Sequence, residues 1–359
     1  MAAAAVLMYH FVPTNHSLGW LFQDGWLGVP FFFILSGAVL SYSYLPQFAD
    51  GQGISRRRFL ALRFARIYPC YLLALAIALV PFVAGQMRAT GSADKALLRI
   101  VGGVGMYLSL MQSWFTTPWT SGVIVSPAWS LSCEWFFYLT FCPLIILLRP
   151  VLTSGVVSAR RLFVATCFFL VIFVAAENVL SVRYPTSING FWDAYFWRGP
   201  FGNFPYFLGG IFVGRALQAS IGENRPRAAL AAYAGIAGLL LLFCCPVEGF
   251  GTAVKRVAIL PVSAVAIYGL GATNTAVSRI LGQPLFGLLG EASYPLYLLQ
   301  FPLNDVFSFA LPPPGMIGGG ARLLGFTIVS VLAAVLIERP GRQLLRRLLL
   351  ARHLVEAGR

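Results

Sequence analysis

An all-α, polytopic membrane bundle of about ten spans is the fold this sequence predicts, and three observations predict it. Of 359 residues, 58% are hydrophobic and only 11% are charged, far from the balance of a soluble domain. Apolar runs of roughly 18 to 22 residues, long enough to cross a hydrocarbon core as helices, recur along almost the whole length. Strong period-two alternation of polar and apolar residues is absent, which argues against a barrel.

The runs place candidate spans at 26–45, 67–85, 97–114, 131–148, 162–180, 201–214, 228–246, 257–272, 284–311 and 321–338. A further apolar run, 1–13, is short: twelve helical residues rise only about 18 Å against a core of about 30 Å. Such a helix is either half-inserted or lacks roughly ten upstream residues, and the second reading is favoured because no cation marks its start. Segment 97–114 carries Gly102, Gly103 and Gly105 and is expected to be re-entrant, or tilted and broken.

Orientation follows from arginine. Five of them fall within Arg56–Arg66, in the stretch R-R-R-F-L-A-L-R-F-A-R, and such clusters are retained on the cytoplasmic side. Alternation then places Arg149, Arg160 and Arg161, Arg215, Arg225 and Arg227, Arg279 and the tail arginines on the same side, most of the 26 Lys and Arg. The chain reads as one integral-membrane domain, 1–345, followed by a basic cytoplasmic tail, 346–359. Its formal net charge of +14 would suggest nucleic acid in a soluble protein. Here the arginines are read as loop residues between spans, so membrane lipid is the expected partner and nucleic acid is not.

Six cysteines (Cys70, Cys133, Cys142, Cys167, Cys244 and Cys245) lie in or at the ends of apolar segments, without metal-ligand spacing to histidine. They read as small packing residues, and no metal site is expected. Walker-type loops, dinucleotide fingerprints, G-x-S-x-G elbows and H-E-x-x-H pairs are also absent, which removes the common soluble-enzyme chemistries.

Ionisable groups at membrane depth are costly and stand as functional candidates by default. His10 closes the first apolar run in V-L-M-Y-H-F, and His16 follows it. With His353 in the tail these are the chain's three histidines, so His10 is the main group able to take a proton near neutral pH. Glu134 lies in S-P-A-W-S-L-S-C-E-W-F-F-Y-L. It either pairs with an arginine to lock two helices, or orients His10, or binds a substrate hydroxyl. Glu291 and Asp305 flank a segment in which Tyr294, Tyr297 and Gln300 share a helix face. These three either line a polar cavity or bond between helices. Glu338, at the end of the last span, reads as structural. The run G-V-P-F-F-F-I-L-S-G, Gly28 to Gly37, suits close helix approach. The arginines Arg56–Arg66 could serve topology alone or hold a multiply anionic ligand such as a nucleotide phosphate.

Six of these motifs, taken in order, resemble acyltransferase family 3, the bacterial membrane proteins that O-acylate sugars. They are Y-H-F, G-V-P-F-F-F-I-L-S-G, R-F-A-R-I-Y-P-C-Y at 63–71, S-P-A-W-S-L-S-C-E-W-F-F-Y-L at 126–139, S-Y-P-L-Y-L-L-Q-F-P-L at 293–303 and I-E-R-P-G-R at 337–342. The resemblance covers nearly the whole chain. It implies a bacterial inner-membrane enzyme that moves an acyl group, usually acetyl from acetyl-CoA, to a hydroxyl of a carbohydrate or glycolipid. Acyl-CoA is then a donor substrate and no cofactor is permanently bound. The resemblance also implies His10 as catalytic base, Arg63 and Arg66 on the CoA phosphates, and Glu134 in the pocket where donor and acceptor meet. Trp129, Ser130, Tyr294, Tyr297 and Gln300 would line the substrate pocket. Three positions depart from the family pattern. The basic residue about ten positions before the histidine is not in the chain, Gln300 stands where many members carry histidine, and Trp135 replaces a second carboxylate. A non-enzymatic exporter on the same scaffold, or the same enzyme with a succinyl or longer acyl donor, are the alternatives.

Overall fold

A computed structural model describes residues 2–11, 22–49, 54–114, 124–153, 156–183, 196–221, 226–245, 251–310 and 316–356. Among them every regular element is a helix, as the sequence predicts. In chain order these are α1 (Ala2–Phe11), α2 (Gly28–Ala49), α3 (Arg56–Thr90), α4 (Ala93–Leu108), α5 (Trp129–Thr153), α6 (Val156–Arg183), α7 (Pro200–Gln218), α8 (Pro226–Cys244), α9 (Gly251–Ala272), α10 (Ala276–Leu281), α11 (Pro284–Ala310), α12 (Met316–Ala333) and α13 (Arg339–Glu356). Short 3₁₀ turns, Gly25–Leu27 and Ser126–Ala128, lead into α2 and α5, and a π-helical segment, Ala334–Glu338, joins α12 to α13.

Seven helical stretches among the described residues are long and apolar enough to cross a membrane: Gly25–Gln47, Arg56–Thr90, Ser126–Thr153, Val157–Leu180, Arg227–Cys244, Gly251–Ala272 and Gly320–Leu350. The chain is a multi-pass membrane protein. Its lipid-facing character shows in side chains such as Leu147, Phe168, Leu230 and Leu336, which are largely exposed because the surrounding solvent is itself apolar.

Three expectations are refined. The arginines of 56–66 do not lie in a loop: they occupy the first three turns of α3, which runs on unbroken for 35 residues and is capped by the Ser55 side chain. Segment 97–114 is not one helix. It stops at Leu108, and Leu110 takes a left-handed conformation (φ 58°) that turns the chain back. The returning residues are bonded to the start of α5, Gln112 Nε2 to Ala128 O at 2.7 Å and Ser132 Oγ to Leu110 O at 2.7 Å. Finally, α13 begins at Arg339, so one helix straddles the expected boundary between 345 and 346.

The bundle is centred on α2 and α7, and small residues allow that contact. A Cβ on Gly210 would lie 2.0 Å from Ile34 O, and one on Gly37 would lie 2.1 Å from Phe207 O. The two backbones therefore touch, and dispersion between close helices replaces the hydrophobic drive that lipid cannot supply. Around this pair an aromatic core forms, with Phe137 stacked on Phe207 at 4.8 Å and edge-on to Phe33 at 5.1 Å. Cys70, Cys133 and Cys142 are buried and form no disulfide, and Cys133 Sγ donates to Arg198 O at 3.2 Å.

Candidate active site

α1 is ten residues long, a rise of about 15 Å, and its last turn carries His10. The ring is exposed, edge-on to Phe301 of α11 (4.8 Å between centroids) and to Tyr9 (4.9 Å). His10 Nδ1 stands 2.8 Å from Val6 O. A carbonyl only accepts, so this bond places the proton on Nδ1 and leaves the Nε2 lone pair available to accept another.

His10 opens onto a cleft with about 640 Å³ of atom-free space, counted to its open mouth. Its walls bring together residues from six regions of the chain: Trp26, Trp129, Trp197, Tyr206, Arg256 and Tyr297 among them. Trp129 and Tyr297, both singled out from the sequence, are here. Tyr297 Oη is 2.8 Å from Ser130 Oγ and 3.0 Å from Pro127 O, which fixes the ring against the turn that starts α5. Ser130 Oγ also lies 3.0 Å from Pro127 O, so the two hydroxyls share that carbonyl.

The sequence reading passed over the cleft's cation. Arg256 is 5% exposed, is ion-paired to Glu177 of α6 and lies under Trp197, its Cζ 4.4 Å from the ring centroid. Beside it Lys255 pairs with Asp24, ahead of α2. Glu177, a carboxylate inside the apolar run V-A-A-E-N-V-L, was the available signal.

A second polar cluster lies around the first turns of α3. Arg63 Nη2 donates to Tyr44 Oη at 2.7 Å, and its guanidinium lies 5.3 Å from the Tyr44 ring centroid and 5.7 Å from that of Phe59. Arg66 lies over Tyr294 at 5.5 Å and is ion-paired to Glu338, in the π-helical segment. Glu134 belongs to this cluster. It accepts from Tyr138 Oη and from Ser36 Oγ (3.4 Å), and no hydrogen bond joins it to His10. Both of these bonds are to hydroxyls, and Arg66 is ion-paired to Glu338 rather than to Glu134. Glu291 pairs with Arg339 at 2.8 Å. His16 lies outside the described residues, as do the side chains of Asp305 and His353.

The two clusters are joined by one helix. On α11, Tyr294 donates to Ile67 O at 2.7 Å beside Arg66, Tyr297 reaches the α5 turn, and Phe301 meets His10. From Tyr294 to Phe301 the helix rises only about 10 Å. Gln300 lies in this stretch and is fully buried.

Comparison with known proteins adds the family. The chain is 36% identical over 118 residues to Acyltransferase MdmB of Streptomyces mycarofaciens, a match covering 33% of this chain and 27% of that protein. It is 34% identical over 134 residues to Protein 2 in picA locus of Rhizobium radiobacter, covering 34% of this chain and 70% of that protein. No solved structure matches. The acyltransferase-domain profile, acyltransferase family 3, matches residues 1–339, and with the helical membrane architecture described above the chain belongs to that family.

Proposed function

We propose that this protein is a membrane O-acyltransferase that takes an acyl group, acetyl in the simplest case, from acyl-CoA held at the Arg63–Arg66 end. The group passes to a hydroxyl of a carbohydrate or glycolipid in the His10 cleft. The observation that carries this reading is the spacing along α11, where Tyr294 touches Arg66 and Phe301 touches His10 about 10 Å further along. An extended pantetheine arm is about 15–20 Å long, comparable with half a hydrocarbon core, so phosphates at Arg66 put the thioester within reach of His10.

The chain's own groups then have definite tasks. Arg63 and Arg66 hold phosphate by charge-assisted hydrogen bonds. Glu134 and Glu338 balance those two cations while the donor is away. His10 Nε2 accepts the proton of the acceptor hydroxyl as its oxygen attacks the thioester carbonyl, and the proton leaves with the CoA thiol. The aromatic walls, Trp26, Trp129 and Trp197, offer flat apolar faces on which a sugar ring can stack. A bacterial inner-membrane location, with the arginine cluster on the cytoplasmic side, completes the proposal.

Labelled acetyl-CoA supplied to the α3 side of membranes containing the protein tests it. Label transferred to glycan by the wild type, and lost in His10→Ala with donor binding retained, supports the reading. Absence of acetyl-CoA binding by the wild type refutes it.

A further inference from the structure

Arg256 is a charge that packing alone does not call for. Two ions are costly to take out of water, and well-packed hydrocarbon often fills the same volume with no loss of stability. Yet the first turns of α9 place a guanidinium, on a residue only 5% exposed, in the wall of the His10 cleft. It is also held still. Nη1 is ion-paired to Glu177 of α6, Nη2 donates to Phe196 O at 3.3 Å, and the Trp197 ring centroid lies 4.4 Å from Cζ. Tyr206 Oη of α7 donates to Arg256 O at 2.9 Å, and Asn203 Nδ2 donates to Trp197 O at 2.9 Å. Three helices thus fix one guanidinium–indole unit. Trp26 stands edge-on to that indole, 5.6 Å between centroids, and lines the same cleft.

Resting on the acyl-transfer reading above, we infer that Arg256 binds and positions the acceptor sugar, donating to a ring hydroxyl while the ring rests on the neighbouring indoles. Chemistry selects this guest. Indole faces take the C–H face of a pyranose, and a guanidinium supplies only donors, which a hydroxyl oxygen accepts. Of its N–H groups one goes to Glu177 and one to Phe196 O, so further donors remain to be given. Glu177 already balances the charge. An uncharged hydroxyl therefore binds without disturbing the pair, whereas a uronate carboxylate competes with Glu177 for the same cation. Arg256 and His10 line one cleft, so a ring oriented by the first presents its hydroxyls to the second.

The experiment is acyl transfer by the purified full-length protein from saturating labelled acetyl-CoA, with a glycolipid extract of its native bacterium's membranes titrated as acceptor. Donor binding and thermal unfolding are measured on the same samples. Arg256→Met with Glu177→Leu removes both charges together, and Arg256→Lys keeps the ion pair but loses the planar fork. Both variants are expected to bind acetyl-CoA as the wild type does. Both are expected to need about ten- to a hundredfold more extract for half-maximal transfer, the scale of hydrogen bonds from a charged donor. Chemical reduction of uronate carboxyls in the extract is expected to leave the wild-type midpoint unchanged. A wild-type midpoint in the double variant overturns the assignment and leaves the acyltransferase reading standing; if that variant does not fold, Arg256→Lys decides by the same criterion. Loss of donor binding with a lowered unfolding temperature in both variants also overturns it, because that marks a lock between α6 and α9. A midpoint raised by carboxyl reduction overturns the hydroxyl in favour of a carboxylate. A wild type that binds acetyl-CoA and transfers nothing to the extract overturns the sugar acceptor, and one that does not bind acetyl-CoA removes the acyltransferase reading as well.

Discussion

Glu338 and Arg66 form an ion pair in which the carboxylate is almost wholly buried (side chain 3% exposed) and the guanidinium is not (31%). The carboxylate comes from a π-helical turn, a local distortion that natural helices place at functional positions. Gly341 allows the following turn to rest on Pro69 of α3, one turn along from Arg66.

Because Glu338 occupies the guanidinium that is proposed to meet phosphate, Glu338→Gln is expected to tighten acetyl-CoA binding severalfold at low ionic strength while lowering thermal stability. Arg66→Gln is expected to weaken binding by tenfold or more, the scale of a lost charge-assisted hydrogen bond. Titration of both variants with labelled acetyl-CoA checks the opposite signs.

At the other end of the path, His10→Ala is expected to lower acyl transfer by about 10²–10⁴-fold, the range for a positioned general base. Acetyl-CoA affinity is expected to stay within twofold of the wild type, because the proposed phosphate contacts are on α3. Single-turnover transfer and equilibrium binding, measured on the same membranes, check the split.

The Arg256–Glu177 pair gives a stability test. Glu177→Gln leaves a buried guanidinium without its carboxylate and is expected to cost about 3 kcal/mol or more, as such truncations do. Converting both, Glu177→Leu with Arg256→Met, is expected to recover most of that loss. Thermal unfolding of these two variants against the wild type checks this, and recovery in the double variant marks the pair as mutual compensation.

Helix approach is tested at glycine. Gly210→Ala puts a Cβ about where Ile34 O already is and is expected to destabilise by roughly 1–3 kcal/mol or more through forced separation of α2 and α7. Gly290→Ala on α11, where a Cβ meets nothing within 4 Å, is expected to be neutral or to stabilise by up to about 1 kcal/mol through helix propensity. Unfolding midpoints of the two variants decide it.

Much of this was legible in the chain. Hydropathy and length announce helices in lipid because only a helix or a closed barrel satisfies backbone groups there. The G-V-P-F-F-F-I-L-S-G run announces close packing because small residues at helical spacing have that use. Lys255 and Arg256 lie just before the apolar run 257–272, so hydropathy alone does not show that they are buried in the first turns of α9.

By itself, then, the sequence determined the membrane helices, the arginine cluster and the order of motifs that marks the family. Each is a property of consecutive residues, written in spacing and composition. Only the tertiary structure decided that Glu134 is bonded to the Tyr138 and Ser36 hydroxyls and not to His10, that Arg256 faces the His10 cleft, and that the Gln300 amide has no hydrogen-bond partner among the described residues. Those are relations between residues tens to hundreds of positions apart. Helix packing sets them through which small residues let backbones approach, and no local pattern encodes the outcome.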